Sequence, residues 1–296
     1  MKKLRKAKSE IIFDLFNNIG MLLMIVVTVF PFIYILAGSF NNGGDYIKGG
    51  VYIWPRVFTT ANYKAIFANN QLLNAFGIST LRTIIGTVLA IMFTALFAYG
   101  FSKENLIGKK FYGYFGLFTM FFGGGLIPYY IVLKNLQLID NFLVYIIPCM
   151  FSFFNVIIFT SFFKGIPKSI VESAKMDGAS EYTIFLKLII PLSKPVIAAI
   201  ALFTGVFHWN SFFDAMVFTN SAKLQPIQSL LMKIVSSREF ASGMSEQAAQ
   251  FVGKNQTNPL TIQMATMVIA SIPIISIYPF FQKYFVKGML MGSIKE

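Results

Sequence analysis

Read from its first residue, the chain alternates between long apolar runs and polar connections punctuated by glycine and proline. Crossing a hydrocarbon core as a helix takes about 20 largely apolar residues, because backbone polar groups find no water there and must satisfy one another within the segment. Six runs qualify, at 17–38, 76–100, 112–133, 141–163, 189–209 and 261–281. The pattern predicts an all-α membrane protein with six transmembrane helices. It divides into a tail 1–16, a first span with its outer loop 17–71, a core 72–281 and a second tail 282–296.

The basic residues orient these spans, since Lys and Arg favour the cytoplasmic side of short loops. Lys2, Lys3, Arg5, Lys6 and Lys8 precede the first run, and Lys103, Lys109 and Lys110 lie between the second and third. Lys164, Lys168, Lys175, Lys187 and Lys194 surround the connection from the fourth to the fifth, and Lys283, Lys287 and Lys295 end the chain. The opposite loops hold fewer over more residues: Lys48, Arg56, Lys64, Lys134, Lys223, Lys233, Arg238 and Lys254. Both termini are therefore expected in the cytoplasm.

Composition agrees. Of 296 residues, 56% are hydrophobic and 12% charged, about half the charge of an ordinary soluble domain. This argues against a cytosolic enzyme. A net charge of +13 would suggest nucleic acid in a soluble chain, but its placement makes it a topology signal and no nucleic-acid partner is expected. The basic start followed by an apolar run has the look of a signal peptide, yet the run exceeds the roughly 7–15 residues usual there. It is expected to remain as the first span. Cys149, the single cysteine, allows no disulfide within the chain and reads as a small packing residue. His208 is the single histidine, so a histidine metal site or catalytic triad lacks its parts. No catalytic residue and no bound cofactor are expected.

Two outward connections are long, and such loops are usually functional or folded on a partner. The first carries Asn41-Asn42-Gly43-Gly44 and Gly49-Gly50 as turns and Tyr52-Ile53-Trp54-Pro55 as aromatic anchors for the membrane surface. The fifth, with helix-forming and small polar residues over 236–250, reads as an exposed excursion able to touch an extracytoplasmic protein.

The connection between spans four and five carries the sharpest signal. Gly165-Ile166-Pro167-Lys168-Ser169 leads into Ile170-Val171-Glu172-Ser173-Ala174-Lys175-Met176-Asp177, then Gly178-Ala179-Ser180 and a second run ending at Pro191. Proline suits a first helical turn, glycine the left-handed position that closes a helix, and Ser180 can cap the next one. The spacing predicts a helix of about three turns, a tight turn and a second helix at the membrane face. Small side chains at Ser173, Ala174 and Ala179 would let a partner approach the backbone, with Glu172 and Asp177 fixing it by charged hydrogen bonds.

These residues resemble the "EAA" cytoplasmic loop of bacterial ABC-importer permeases. The matching positions are Glu172-Ser173-Ala174, Asp177-Gly178-Ala179 and Leu188-Ile189-Ile190-Pro191, with Ser173 in place of the usual second Ala and Ile190 where Leu is common. Over about 70–296 the chain is similar to the smaller, MalG-type permease of the maltose-type carbohydrate importers. Phe121-Phe122-Gly123-Gly124-Gly125-Leu126-Ile127-Pro128 and Pro226-Ile227-Gln228-Ser229 resemble the branch for complex oligosaccharides, uronic-acid-containing ones included. The resemblance implies a type I ABC-importer permease in a bacterial cytoplasmic membrane. It implies a second homologous permease, two ATPase subunits that hold ATP and Mg, and an extracellular solute-binding lipoprotein, with an oligosaccharide as the cargo, acidic ones included. It further implies that Gly292, Ser293 and Lys295 reach the ATPase interface. A peptide, amino acid or other small solute on the same fold is the alternative.

Gly108-Lys109-Lys110 lacks the upstream glycine and the Ser or Thr of a phosphate-cradling loop, so energy for transport would enter through a partner at the Glu172–Ala179 segment, Pro191 ending the second helix. An arginine inside an apolar span costs several kcal/mol, so Arg82 faces either a substrate path or a structural partner, by snorkelling to headgroups or bridging to the other permease. His208-Trp209-Asn210-Ser211-Phe212-Phe213-Asp214 offers Trp209 and Phe212 for stacking on sugar faces and Asn210 and Asp214 for its hydroxyls. The competing reading is an interfacial aromatic belt. The segment 121–125 reads as close helix packing in preference to a break lining the path. A secondary transporter is disfavoured because the acidic residues fall in loops or at span ends.

Overall fold

The computed structural model describes residues 8–236 and 257–292, with side chains over 9–233 and 257–280. Every regular element among them is helical, apart from one isolated bridge pairing Asn41 with Phe58. Among the described residues three helices are long and apolar enough to cross a membrane unbroken: α1 (Lys8–Ser39), the later α4 (Asn70–Ser102) and the final α14 (Pro259–Gly292) through Phe280. At 1.5 Å per residue α4 is ~50 Å long, more than a hydrocarbon core. Between α1 and α4 lie the short α2 (Gly43–Tyr46) and α3 (Ala61–Ala68).

The remaining apolar runs fall on pairs of helices bent at a break. Helices α5 (Lys109–Phe121) and α6 (Leu126–Asn135) meet at 114°. Two 3-10 turns, Phe142–Tyr145 and Ile147–Cys149, precede α7 (Phe153–Lys164) at 47°, with Pro148 withholding a donor. Then follow α8 (Lys168–Met176), α9 (Glu181–Ile184), a π-helical stretch Phe185–Ile189 and α10 (Ile190–Leu192). The run from Glu181 to Leu192 meets α11 (Lys194–Asn210) at 79°, so the fifth crossing starts at Lys194. The cause lies in Pro191 and Pro195: neither can donate to the preceding turn. The π stretch re-registers the bonds, Ile190 N donating to Phe185 O five residues back. The chain continues through α12 (Phe213–Phe218), a 3-10 turn Ala222–Leu224 and α13 (Ile227–Ser236).

The segment 121–125 is a helix break. Gly125 adopts φ +88°, a conformation only glycine enters freely, and nothing lies within 4 Å of the side-chain positions of Gly123 and Gly124. Close packing is found instead at Gly116, where an added Cβ would sit 2.2 Å from the Phe153 ring.

The chain forms two compact units, Met1–Asn70 with Lys233–Ser271, and Gln71–Met232 with Ile272–Glu296. In the first, the connection between α1 and α3 is organised by buried amides rather than left structureless. Asn62 Nδ2 donates to Ser39 O (2.8 Å) and Asn41 O (3.0 Å), while its Oδ1 accepts from Thr261 Oγ1 at 2.8 Å. Asn41 Oδ1 accepts from Val57 N, and Arg56 closes the loop on Asp45 at 2.9 Å, holding that carboxyl below its ordinary range. Tyr52, Ile53 and Trp54 stand exposed. The apolar flank of α1 is uncovered along its whole spanning window.

Among its described residues the second unit has two apolar cores. One joins α4, α7, the π stretch and α11 through Ala95, Ala98, Phe159, Phe163, Ile184, Phe185 and Ile200. The other gathers Leu133, Val144, Tyr145, Ile146, Ala215 and Phe218. A functional candidate sits beside each.

Candidate coupling loop and buried ion pair

Helix α8 forms and stops for local reasons. Gly165 turns the chain out of α7, and Pro167 stands at the N-cap position, one residue before the expected first turn. The helix has nine residues. Its end is a Schellman motif: Gly178 N donates to Lys175 O and Ala179 N to Ala174 O, both at 3.0 Å, with Gly178 at φ +77°. Ser180 Oγ then accepts from Thr183 N at 3.2 Å and starts α9. Glu172, Ser173, Asp177 and Gly178 are exposed, as is Pro191. Ala174 and Ala179 instead turn inward and pack on the core with Val171, so of the three small residues expected to admit a partner, Ser173 alone faces out.

A charged cluster holds the loop in place. Glu181 Oε1 accepts from Lys175 Nζ at 2.7 Å; its Oε2 accepts from Tyr99 Oη at 2.5 Å and Lys103 Nζ at 2.9 Å. Lys103 also lies 4.1 Å over the Tyr99 ring. With Lys175, Tyr99 and Lys103 all donating, the Glu181 carboxyl is held down at about 2, against an ordinary 4.5. A second tie joins Lys168 to Glu104 at 2.6 Å, which lowers the acid and raises the base. Neither Glu181 nor Tyr99 stood out in the sequence, where an acid opening a helix reads as ordinary first-turn chemistry.

Arg82 has no exposed surface. Its guanidinium grips Asp214 with both terminal nitrogens, one to Oδ1 at 3.1 Å and the other to Oδ2, and rests 4.5 Å over the Tyr145 ring. Nη1 also approaches Ser211 O at 3.4 Å. Tyr145 is fixed by donating to Leu224 O at 2.8 Å, and Asp214 accepts from Ala215 N at 2.9 Å. A buried charge is tolerable when paired and hydrogen-bonded in this way. Arg82 therefore neither snorkels to headgroups nor stands open to a path or to another subunit; its partner is in its own chain. An arginine inside one apolar run and an aspartate just past the end of another were the available signal.

The rest of the aromatic segment is divided. Trp209 is buried edge-on against Phe76 at 5.5 Å, which removes it from both a sugar surface and an interfacial belt. His208 is buried, its ring filling the space left by Gly86. Phe212 is half-buried, and Asn210 is exposed beside Gln228 at 3.4 Å. Gly292 ends α14, whereas Ser293 and Lys295 lie outside the described residues, as does 237–250 of the fifth loop.

Long apolar helices, bent apolar pairs and an exposed helix-turn-helix between two of them are the architecture of a polytopic membrane protein. The sequence matches the family described as binding-protein-dependent transport system inner membrane component over residues 76–291, and the chain belongs to that family. Among its relatives, Protein LplC of Bacillus subtilis (strain 168) is 36% identical over 99% of this chain and 98% of its own. The polygalacturonan/rhamnogalacturonan transport system permease protein YtcP of the same organism is 37% identical over 96% of this chain and 98% of its own. A chain in the crystal structure of a bacterial ABC transporter involved in the import of the acidic polysaccharide alginate matches with TM-score 0.88 and 29% identity, covering 96% of this chain and 100% of that one.

Proposed function

We propose that this chain is a transmembrane permease subunit of an ATP-driven, binding-protein-dependent importer, carrying a carbohydrate, an acidic oligosaccharide in particular, across the cytoplasmic membrane by alternating access. It is a transporter subunit and not an enzyme. The observation that carries the reading is the exposed α8 with its glycine-locked turn between two crossings: a rigid strut outside the bilayer, suited to a groove on an ATPase partner. Family membership and relatives named for polygalacturonan and alginate import support it. The basic bias of the same side supports a cytoplasmic placement of α8 and both termini. The uncovered α1 fits lipid and a second permease, and the outer loops fit a solute-binding protein, a lipoprotein in our reading. ATP and Mg belong to the two ATPase subunits.

Each half-transporter would turn closure of the ATPase dimer into a rigid movement of the helices joined to α8. Replacing Gly178 by Asp strains the φ +77° turn, and Glu172→Lys inverts the charge presented to the partner. Uptake in either variant is expected to fall more than about tenfold while the protein still reaches the membrane; full uptake in both would sink the reading. Identifying the binding protein and ligand that copurify separates sugar from peptide, amino acid or other small solute. The C-terminal residues Gly292, Ser293 and Lys295 are assigned to the ATPase interface, so deleting 292–296 should lower uptake per ATP hydrolysed at normal expression. Unchanged stoichiometry would reject that assignment.

A further inference from the structure

Helix α8 contains no fully buried residue, yet both its ends are tied to one place, the C-terminal end of α4. At its start Lys168 meets Glu104, two residues past α4; at its end Lys175 meets Glu181, which in turn holds Tyr99 and Lys103 of α4 and the residue after it. The ties are unequal. Lys168 and Glu104 are each 72% exposed, and such surface pairs contribute little. Lys175 and Glu181 are themselves 50% and 51% exposed, so the second tie takes its rigidity from Tyr99, which is 7% exposed, sits in the core of α4, α7 and α11, and packs on Phe185 at 5.2 Å.

The chemistry of Glu181 suits a two-sided role. Oε1 faces α8 and Oε2 faces α4, so one carboxylate links two helices that share no direct chain connection. Helix α7 and the run to α11 continue covalently from the two ends of the loop and are displaced with it in any case. Helix α4 is reached only by packing and by these polar contacts. Apolar packing of Val171 and Ala174 is non-directional and lets helices slide; three converging donors on one carboxylate fix the register.

We propose that Glu181 is a positioning residue that clasps α8 to α4, so that displacement of α8 also drives α4, the helix that carries Arg82. The proposal rests on the reading of α8 as the ATPase contact. Gln at 181 keeps the shape but turns one acceptor into a donor facing ammonium groups, and Asp is one methylene too short to span both helices.

The test uses the complete transporter, both permeases and ATPases with the binding protein, in proteoliposomes. For Glu181→Gln, the complex is recovered at the parental yield, maximal uptake per ATP hydrolysed falls about tenfold, and the half-saturating substrate concentration stays unchanged. Glu181→Asp falls between the two, and Tyr99→Phe gives a smaller loss. Lys175→Met lowers uptake alone but adds nothing to Glu181→Gln, as members of one clasp must. Uptake per ATP within about twofold of the parent in Glu181→Gln overturns the proposal. So does a loss that only follows lost complex, or losses at Lys175 and Glu181 that add in full. Glu172→Lys runs in parallel: if it uncouples and Glu181→Gln does not, the clasp falls and the permease reading stands. If Glu172→Lys and Gly178→Asp both transport normally, the reading itself falls.

Discussion

Arg82 shows how a single charge is accommodated in an apolar helix. Asp214 supplies the countercharge, Tyr145 a ring face and Ser211 a carbonyl, so both charges are met, with buried Arg82 Nε left without a hydrogen-bond partner. Removing one partner is far worse than removing both, since the survivor stays buried and uncompensated. Asp214→Asn is therefore expected to destabilise the chain by about 3–5 kcal/mol, and Arg82→Met with Asp214→Leu to recover most of that. Melting in detergent measures both; an Asp214→Asn cost below about 1 kcal/mol would contradict the account. The sequence exposed Arg82 and Asp214 as unusual residues one by one. It did not expose the pair, because they are 132 positions apart and nothing in either run marks a shared depth.

At the scale of elements, glycines and prolines decide whether an apolar run is one helix or two. Gly125 at φ +88° makes the 114° turn between α5 and α6, and Pro191 with Pro195 makes the 79° turn before α11. Gly116 does the opposite and draws α5 onto α7. An alanine there would put its Cβ 2.2 Å from Phe153, a ring 6% exposed, so the ring has to move. Gly116→Ala should cost about 1–3 kcal/mol, with Phe153→Leu restoring part of it; an unchanged melting temperature in the single variant would refute the packing role. Sequence alone cannot sort these glycines. A three-glycine run and an isolated glycine both suit close packing, and which one faces a neighbour depends on where the neighbour lies. Helix α8 was legible in more detail because its signals are local: Gly178 for the left-handed turn, Ser180 for the cap. Its inward-facing Ala174 and Ala179 were not, since the face a short helix buries is set by the core beneath it.

For the molecule as a whole, the Glu181 clasp has a pH consequence of definite sign. Its carboxyl titrates at about 2 in the folded chain, against an ordinary 4.5, so the unfolded state takes up the proton first. The clasp's contribution to stability is complete above about 4.5 and is lost as pH falls toward 2. The difference in melting temperature between the parent and Glu181→Gln should stay constant from about pH 5 to 8 and shrink below 4.5; a difference that varies across the neutral range would show another group in control. Six apolar runs and the spaced Glu172, Asp177, Gly178 and Pro191 made the membrane solvent and the helix-turn-helix after the fourth run legible, and among the described residues the runs fall on three unbroken apolar helices and three bent pairs. Hydrophobicity, charge bias and turn chemistry act over a few neighbouring residues and so are written in the linear pattern. The bends within crossings, the Arg82–Asp214 pair and the tie from α8 to α4 through Glu181 were decided by the tertiary structure alone. Each depends on which distant side chains share one depth and one face, and that is settled only when the helices pack.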